Sequence, residues 1–197
     1  MMGDKLLPEI KDGFSFSCQQ CGRCCCGLGE GFVFLYDKEL LKIAKKLGIS
    51  VQECVTKYVD VINSEYTILN KNLKRTKRKV FLKSLILRQN ETDGSCVLLD
   101  LGTNLCTIYE ARPAQCKSWP TWYPLMTSAK ELRDAKEKCP GFQSKNGFIS
   151  YYDILLNIEN ELKNEYHYVT KMKRHGNDLR KMYRFLKDIE FKHDIVV

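Results

Sequence analysis

Apolar residues recur along this chain at two periods, and the switches between them mark out helices and strands. From residue 37, Leu40, Leu41, Ala44 and Leu47 share one helical face, with Asp37 as the expected cap and Gly48 as the stop. Ser50 and Glu53 form a capping box for a second helix, whose face is Val51, Cys54, Val55, Tyr58 and Ile62. Residues 32–36 read as a short strand, and the β-branched and aromatic positions of residues 66–89 read as strands around a polar turn. Ser128 with Glu131 opens another helix, which ends at Cys139-Pro140-Gly141. Ser150 caps a long helix with Tyr151, Ile154, Leu155, Ile158, Leu162, Val169 and Met172 on one stripe. Gly176-Asn177 then turns the chain, and Leu179, Met182, Tyr183, Leu186 and Ile189 mark a second helical arm.

The apolar pattern lapses at residues 18–26, where Cys18, Cys21, Cys24, Cys25 and Cys26 crowd together between glycines. Such a stretch packs little and offers soft thiolate ligands, so it reads as half of a metal site. Phe14 and Phe16 would anchor it to the core. Cys96, Cys106, Cys116 and Cys139 are the candidates for the other half. A hairpin over residues 95–109, with a three-residue loop from Asp100 to a left-handed Gly102, would set Cys96 opposite Cys106. Pro113 suits a first helical position, which would put Cys116 in a first turn whose partial positive charge favours a thiolate. Cys54 lies on an apolar stripe and reads as a small buried hydrophobe.

Neighbouring side chains such as Cys24 and Cys25 tend to diverge, which sends them to different metals. Eight cysteines then divide as four plus four, enough for two tetrahedral zinc ions or two iron-sulfur cubanes, with a single cluster as the alternative. Leu28 stands where a ferredoxin run would need its fourth cysteine, so that motif is incomplete. His167, His175 and His193 read as surface or core-edge residues, and no hydrolase triad or phosphate loop is evident.

Composition changes this picture in two ways. At 197 residues, 44% apolar and 28% charged, the chain has the makings of an ordinary globular core. No apolar run approaches a bilayer span and no leader-like start is present, so the cytoplasm is the expected compartment and no membrane partner is expected. Thiols stay reduced there, which favours metal over disulfides for the ten cysteines. The formal charge of +8 is concentrated at Lys71, Lys74, Arg75, Lys77, Arg78, Lys79 and Lys83. Contact with nucleic acid or an acidic partner is one reading of that run, and a solvated hairpin tip is the plainer one. Trp119-Pro120 and Trp122-Tyr123-Pro124 read as packing over the cluster, with a substrate pocket as second reading. Arg112 is expected to hydrogen-bond the cluster loops or backbone carbonyls, with a role toward a substrate anion as the alternative.

The fold class expected is α+β: a loop-rich, metal-stapled core with short antiparallel strands, several helices and a C-terminal α-hairpin. Residues 1–142 would form the cysteine-cluster unit and 143–197 a helical hairpin packed on it, together one folded unit.

The cysteine spacing resembles the YkgJ-like Cys-x2-Cys-x2-Cys-Cys family, a zinc- or iron-chelating domain with eight cysteines. The resemblance begins at Cys18, Cys21, Cys24 and Cys25 and resumes at Cys96. It continues through Cys106-Thr107-Ile108-Tyr109, Arg112-Pro113-Ala114-Gln115-Cys116 and Trp119-Pro120, and ends at Cys139-Pro140-Gly141. Lys117 replaces an arginine of that pattern, and Cys26 is an additional thiol. What the resemblance implies is metal chelation. A branch similar to flagellin lysine-N-methylases, considerably longer than this chain, carries the same domain with an iron-sulfur cluster and S-adenosylmethionine. The leading expectation is therefore a metal-binding protein with zinc or an iron-sulfur cluster. The alternatives are an iron-sulfur enzyme of methyl-transfer or redox type, and a basic adaptor for RNA or an acidic protein partner.

Overall fold

The computed structural model describes residues 6–26, 31–189, 191 and 194–195, and the fold is α+β. His193 lies outside the described residues. The dominant feature is a long antiparallel hairpin, β2 (Val59–Leu69) and β3 (Arg75–Leu87), whose register runs from Val59↔Leu87 to Leu69↔Arg75. Its tip is closed by the Asn70 carboxamide, whose Oδ1 accepts from the backbone N–H of Asn72 at 2.9 Å and of Lys74 at 3.1 Å. A short strand β7 (Asp194–Ile195) pairs parallel with β2 on the other side, and β3 is an edge up to its last residues, where Phe34 bridges Ile86.

Helices α1 (Asp37–Leu47) and α2 (Val51–Tyr58) pack on this ribbon. The Ser50 hydroxyl accepts from Glu53 N at 3.1 Å, the expected cap of α2. The cap of α1 falls on Tyr36 rather than Asp37, and the Glu39 carboxylate accepts from Tyr36 N at 2.8 Å. Ile62, expected on the face of α2, is instead on β2. The β-branched run Val59, Val61, Ile62 takes the extended form and ends the helix at Tyr58, because its side chains fit a pleated surface better.

Helix α6 (Tyr151–Arg174) joins two apolar cores. Its second half gives Tyr168, Val169 and Met172 to the core under the ribbon, with Leu40, Ile43, Val55, Leu85 and Leu186. Its first half gives Ile154, Ile158 and Leu162 to a second core. There they meet Leu6 and Ile10, Met126 of α4 (Tyr123–Thr127) and Leu132 of α5 (Ala129–Lys138). After Gly176 and Asn177, both with positive φ, the returning arm is shorter than its apolar spacing predicts. Helix α7 (Leu179–Met182) stops where Tyr183 turns extended, and a 3-10 turn at Arg184–Leu186 follows. Arg180 Nη2 donates to Ile189 O at 2.9 Å and folds this arm back on itself, so its apolar residues are buried without a continuous helix. No helix among the described residues is long and apolar enough to cross a membrane.

Candidate metal centre

The cysteine knot is held from both ends. Before it, β1 (Phe14–Ser15) pairs with β6 (Phe148–Ile149), and Phe14 and Phe16 lie 5.5 and 5.3 Å from the Phe142 ring. Ser17 N donates to Gly141 O at 3.1 Å, which brings Cys18 alongside the segment that begins at Cys139. The knot then turns through Gln20 and Gly22, with φ of 50° and 70°, into a 3-10 turn at Arg23–Cys25. None of the three residues in that turn is buried.

Opposite the knot lies a small hairpin, β4 (Leu99–Asp100) and β5 (Leu105–Cys106). Its register pairs Leu99 with Cys106, so Cys96 is not opposite Cys106 as expected. The reason is the turn. Asp100 Oδ1 accepts from Gly102 N and Thr103 N, at 2.8 and 3.2 Å, and Asn104 rather than Gly102 takes the positive φ of 57°. This makes a four-residue loop. Cys96 instead bonds the knot, its N–H donating to Cys25 O at 2.7 Å. Gly22 sits so close to this hairpin that an added Cβ would lie 2.7 Å from Asn104 O and 3.1 Å from Leu99. We expect Gly22→Ala to cost about 2 kcal/mol, from the left-handed backbone and the carbonyl clash together. Chemical denaturation checks this, and a loss below a few tenths would mean the knot does not dock there.

Cys116 is on the one-turn helix α3 (Ala114–Lys117). Two residues outside the cysteine pattern fix that helix. The Gln115 carboxamide accepts from Phe34 N at 2.9 Å and donates to Phe32 O at 3.0 Å. Glu39 Oε1 accepts from Ala114 N at 2.6 Å, joining the start of α1 to the start of α3. Arg112 does what the sequence suggested for it: Nε donates to Tyr109 O at 2.9 Å while the guanidinium lies 3.7 Å from the Tyr109 ring centroid.

Five thiols share one electrostatic neighbourhood: Cys24, Cys25, Cys96, Cys106 and Cys116. Cys24 and Cys25 do not diverge; their sulfurs are 3.8 Å apart. A hydrogen bond from Cys25 holds Cys24 down to about 7, while the same bond and burial push Cys25 up. The neighbour thus eases loss of the Cys24 proton, the kind of proton a soft cation displaces. Burial pushes Cys116 up first, then the proximity of Cys96 and Cys24. That desolvation outweighs the first-turn position expected to favour its thiolate. Burial also raises Cys96 and Cys106, and the Arg112 cation opposes the rise at Cys106 and Cys116.

The other thiols are placed differently. Cys18 neighbours the Tyr109 hydroxyl, and Cys139 ends α5, where Arg23 Nη1 reaches Lys138 O at 3.5 Å. Cys21 immediately precedes the Gly22 turn. Cys26 donates its S–H to Gly22 O at 3.2 Å. Cys54 is fully buried in the first core, and desolvation raises it to about 11. In metal-free protein at pH 8, iodoacetamide is expected to label exposed Cys18 and Cys24 while Cys54 stays unmodified until denaturant is added. Peptide mass spectrometry reads the order of labelling.

Among the described residues, no three His, Cys, Asp or Glu side chains already converge as a closed metal site. The donor set nevertheless fits a thiophilic metal, since a tetrahedral zinc with Zn–S of about 2.3 Å places neighbouring sulfurs about 3.8 Å apart. His167 is exposed beside Tyr166 and His175 caps the end of α6. The Trp119 and Trp122 rings meet edge-on at 4.8 Å and pack against the second core, with Trp122 Nε1 donating to Gln115 O at 2.7 Å. Two clefts on the surface lie elsewhere, one of about 530 Å³ by Gln52 and Arg184 and one of about 260 Å³ by Asp60 and Gln89.

Comparison with known proteins bears on this constellation. The chain is 28% identical over 109 residues to the uncharacterized protein MJ0661 of Methanocaldococcus jannaschii, a stretch covering 55% of this chain and 46% of that protein. The chain thus spans about half the length of that relative. No solved structure matches it. The model of the CxxCxxCC family, described as "Putative zinc- or iron-chelating domain", matches residues 17–140, which hold all eight cysteines of the pattern. With more than half its length so matched, the chain belongs to the CxxCxxCC family of zinc- or iron-chelating domains.

Proposed function

We propose that this protein holds metal through eight thiolates, Cys18, Cys21, Cys24, Cys25, Cys96, Cys106, Cys116 and Cys139, and that Cys24 and Cys25 bind the same ion. The observation that carries this reading is the 3.8 Å between their sulfurs. That is the edge of a four-thiolate tetrahedron, whereas in a cubane each thiolate takes a different iron and neighbours stand farther apart. Zinc is therefore the favoured metal. When bound it supplies a fixed tetrahedral cross-link with no redox chemistry of its own.

The chain's own residues do the rest. Cys96, Cys106 and Cys116 complete the neighbourhood of the Cys24–Cys25 pair, and the segments of Cys18, Cys21 and Cys139 adjoin it. Arg112 lies close enough to Cys24, Cys106 and Cys116 to offset part of the thiolate charge. Gln115 and Glu39 hold α3, and with it Cys116, against α1 and the strand-like segment around Phe34. The centre then acts as a staple between the knot, the small hairpin and the ends of α3 and α5. A reducing compartment such as the cytoplasm suits a chain that needs its thiols as ligands.

Metal analysis of protein purified without oxygen tests this. The expected result is a colourless protein containing zinc, from which Cys24→Ser and Cys25→Ser each remove the same whole equivalent. A brown protein with iron and sulfide, or unchanged metal in either variant, would overturn the shared-ion reading.

A further inference from the structure

Residues 61–84 contain seven lysines and arginines and a single acid, Glu65, so most of the formal +8 of the chain sits on the β2–β3 ribbon. The sequence suggested that these charges crowd a turn. The structure instead spreads them along a strand. Only Lys71 and Lys74 belong to the tip; residues 79, 81 and 83 of β3 alternate outward, and residues 75, 77 and 78 are exposed across the bulge that precedes them. Lys77 and Lys79 are followed by Phe81, which is 68% exposed. Arg75 is otherwise engaged, paired with Glu165 at 3.2 Å and lying over the Tyr123 ring.

Lysines on an edge strand discourage pairing with other strands, and that alone would account for the charges. It does not account for Phe81, which exposes apolar surface on the same row. Alternate strand residues stand about 6.6 Å apart, so Lys79 and Phe81 set a charge and a flat π-face side by side, and the bulge between Arg75 and Lys79 brings Lys77 next to them. The acid opposite Phe81, Glu65, is bonded to Lys79 at 2.7 Å, and both are solvent-exposed, so this pair is weak and open to competition.

We infer that the outward face of β3, through Lys77, Lys79 and Phe81 with Lys71 and Lys74 at the tip, binds single-stranded nucleic acid. The lysines follow its phosphates and Phe81 stacks on a base. An acidic peptide would satisfy the lysines but leave the ring unused, and a duplex hides its base faces. This face is independent of the metal, and its failure would leave the chelation reading untouched.

Fluorescence anisotropy of the metal-loaded full chain with a short labelled mixed-sequence single strand tests the inference. Binding is expected to weaken steeply with salt, and Lys77→Ala with Lys79→Ala should flatten the log–log slope by about 1.4, roughly 0.7 per lost phosphate contact. Phe81→Ala should lower affinity about tenfold at fixed salt with the slope unchanged, as loss of one base stack does. The ring is exposed, so this variant is expected to fold. A neutral Phe81→Ala, equal competition by polyglutamate, or absence of binding at low salt would each overturn it.

Discussion

Chelation of the metal is expected to strip hydrogen-exchange protection from residues 18–26 and from the hairpin around Cys106 while β2, β3 and α6 keep theirs. The 3-10 turn at Arg23–Cys25 buries no side chain, and besides the neighbouring thiols three contacts tie this part of the knot to the rest of the described chain. They are the bond from Cys96 to Cys25 O, the close approach of Gly22 to Asn104, and the reach of Arg23 to Lys138 O. Fixing a backbone costs about 1–2 kcal/mol per residue, so the knot needs roughly 9–18 kcal/mol from elsewhere. A structural zinc supplies about 10–16 kcal/mol, which is the right size. Of the cysteines, the buried part of the first core holds only Cys54, as a neutral thiol, while the ligand candidates Cys96 and Cys106 pack against its edge. The position of the cores therefore confines the effect of metal loss to the knot and the small hairpin. Exchange followed by mass spectrometry, with and without chelator, decides it. Protection lost across β2 as well would make the centre part of the main core, and unchanged protection at the knot would mean the metal staples nothing.

What was legible in the sequence is what short-range chemistry writes there. The serine caps at Ser50, Ser128 and Ser150 accept from the third residue beyond, because small hydroxyl side chains satisfy a helix's first N–H groups and the pattern is local. The two motifs that carry the cysteines were equally readable. Register was not, because Gly102 and Asn104 both tolerate a left-handed backbone, and only the Asp100 carboxylate decides between them. Divergence of Cys24 and Cys25 was a strand-like assumption. In a 3-10 turn, with three residues per revolution, neighbours splay by about a third of a circle and their sulfurs can meet. The basic run misled for a related reason: charge conceals the period of two that a strand would show, so the first part of β3 was counted with the turn between the two strands. The bonds of Gln115 to Phe34 N and of Glu39 to Ala114 N gave no signal, since each reaches backbone 75 or more residues away.

The two cores also explain why so loop-rich a region is positioned at all. α6 is buried at both ends, so it fixes the ribbon relative to α4 and α5. The knot leans on both sides of that frame, through Cys96 on the first and Phe16, Phe142 and the end of α5 on the second. A metal then has to close short gaps rather than organise a chain.

Arg88→Met is expected to cost about 3–5 kcal/mol, the range for a buried ion pair broken on one side. Asp60 is 4% exposed, and Arg88 Nε donates to its Oδ1 at 3.0 Å. The same guanidinium donates to Lys57 O at 2.8 Å and Val59 O at 3.0 Å, where α2 hands over to β2. Removing it leaves the Asp60 carboxylate, 4% exposed at the wall of the smaller cleft, without its cation, and the part-buried Val59 carbonyl without a donor, while the exposed Lys57 carbonyl turns to water. The consequence reaches toward the cysteines, because Arg88 O accepts from Val97 N at 3.2 Å, beside Cys96. The pair need not be favourable in itself, since two charges lose much hydration on burial. Arg88→Met with Asp60→Leu is therefore expected to recover a large part of the loss, because no unpaired charge remains. Urea denaturation of the two variants reads the difference. A loss under about 1 kcal/mol in the single variant, the range of exposed pairs, would show that water reaches Asp60 and that the junction of α2 and β2 is held by its backbone alone.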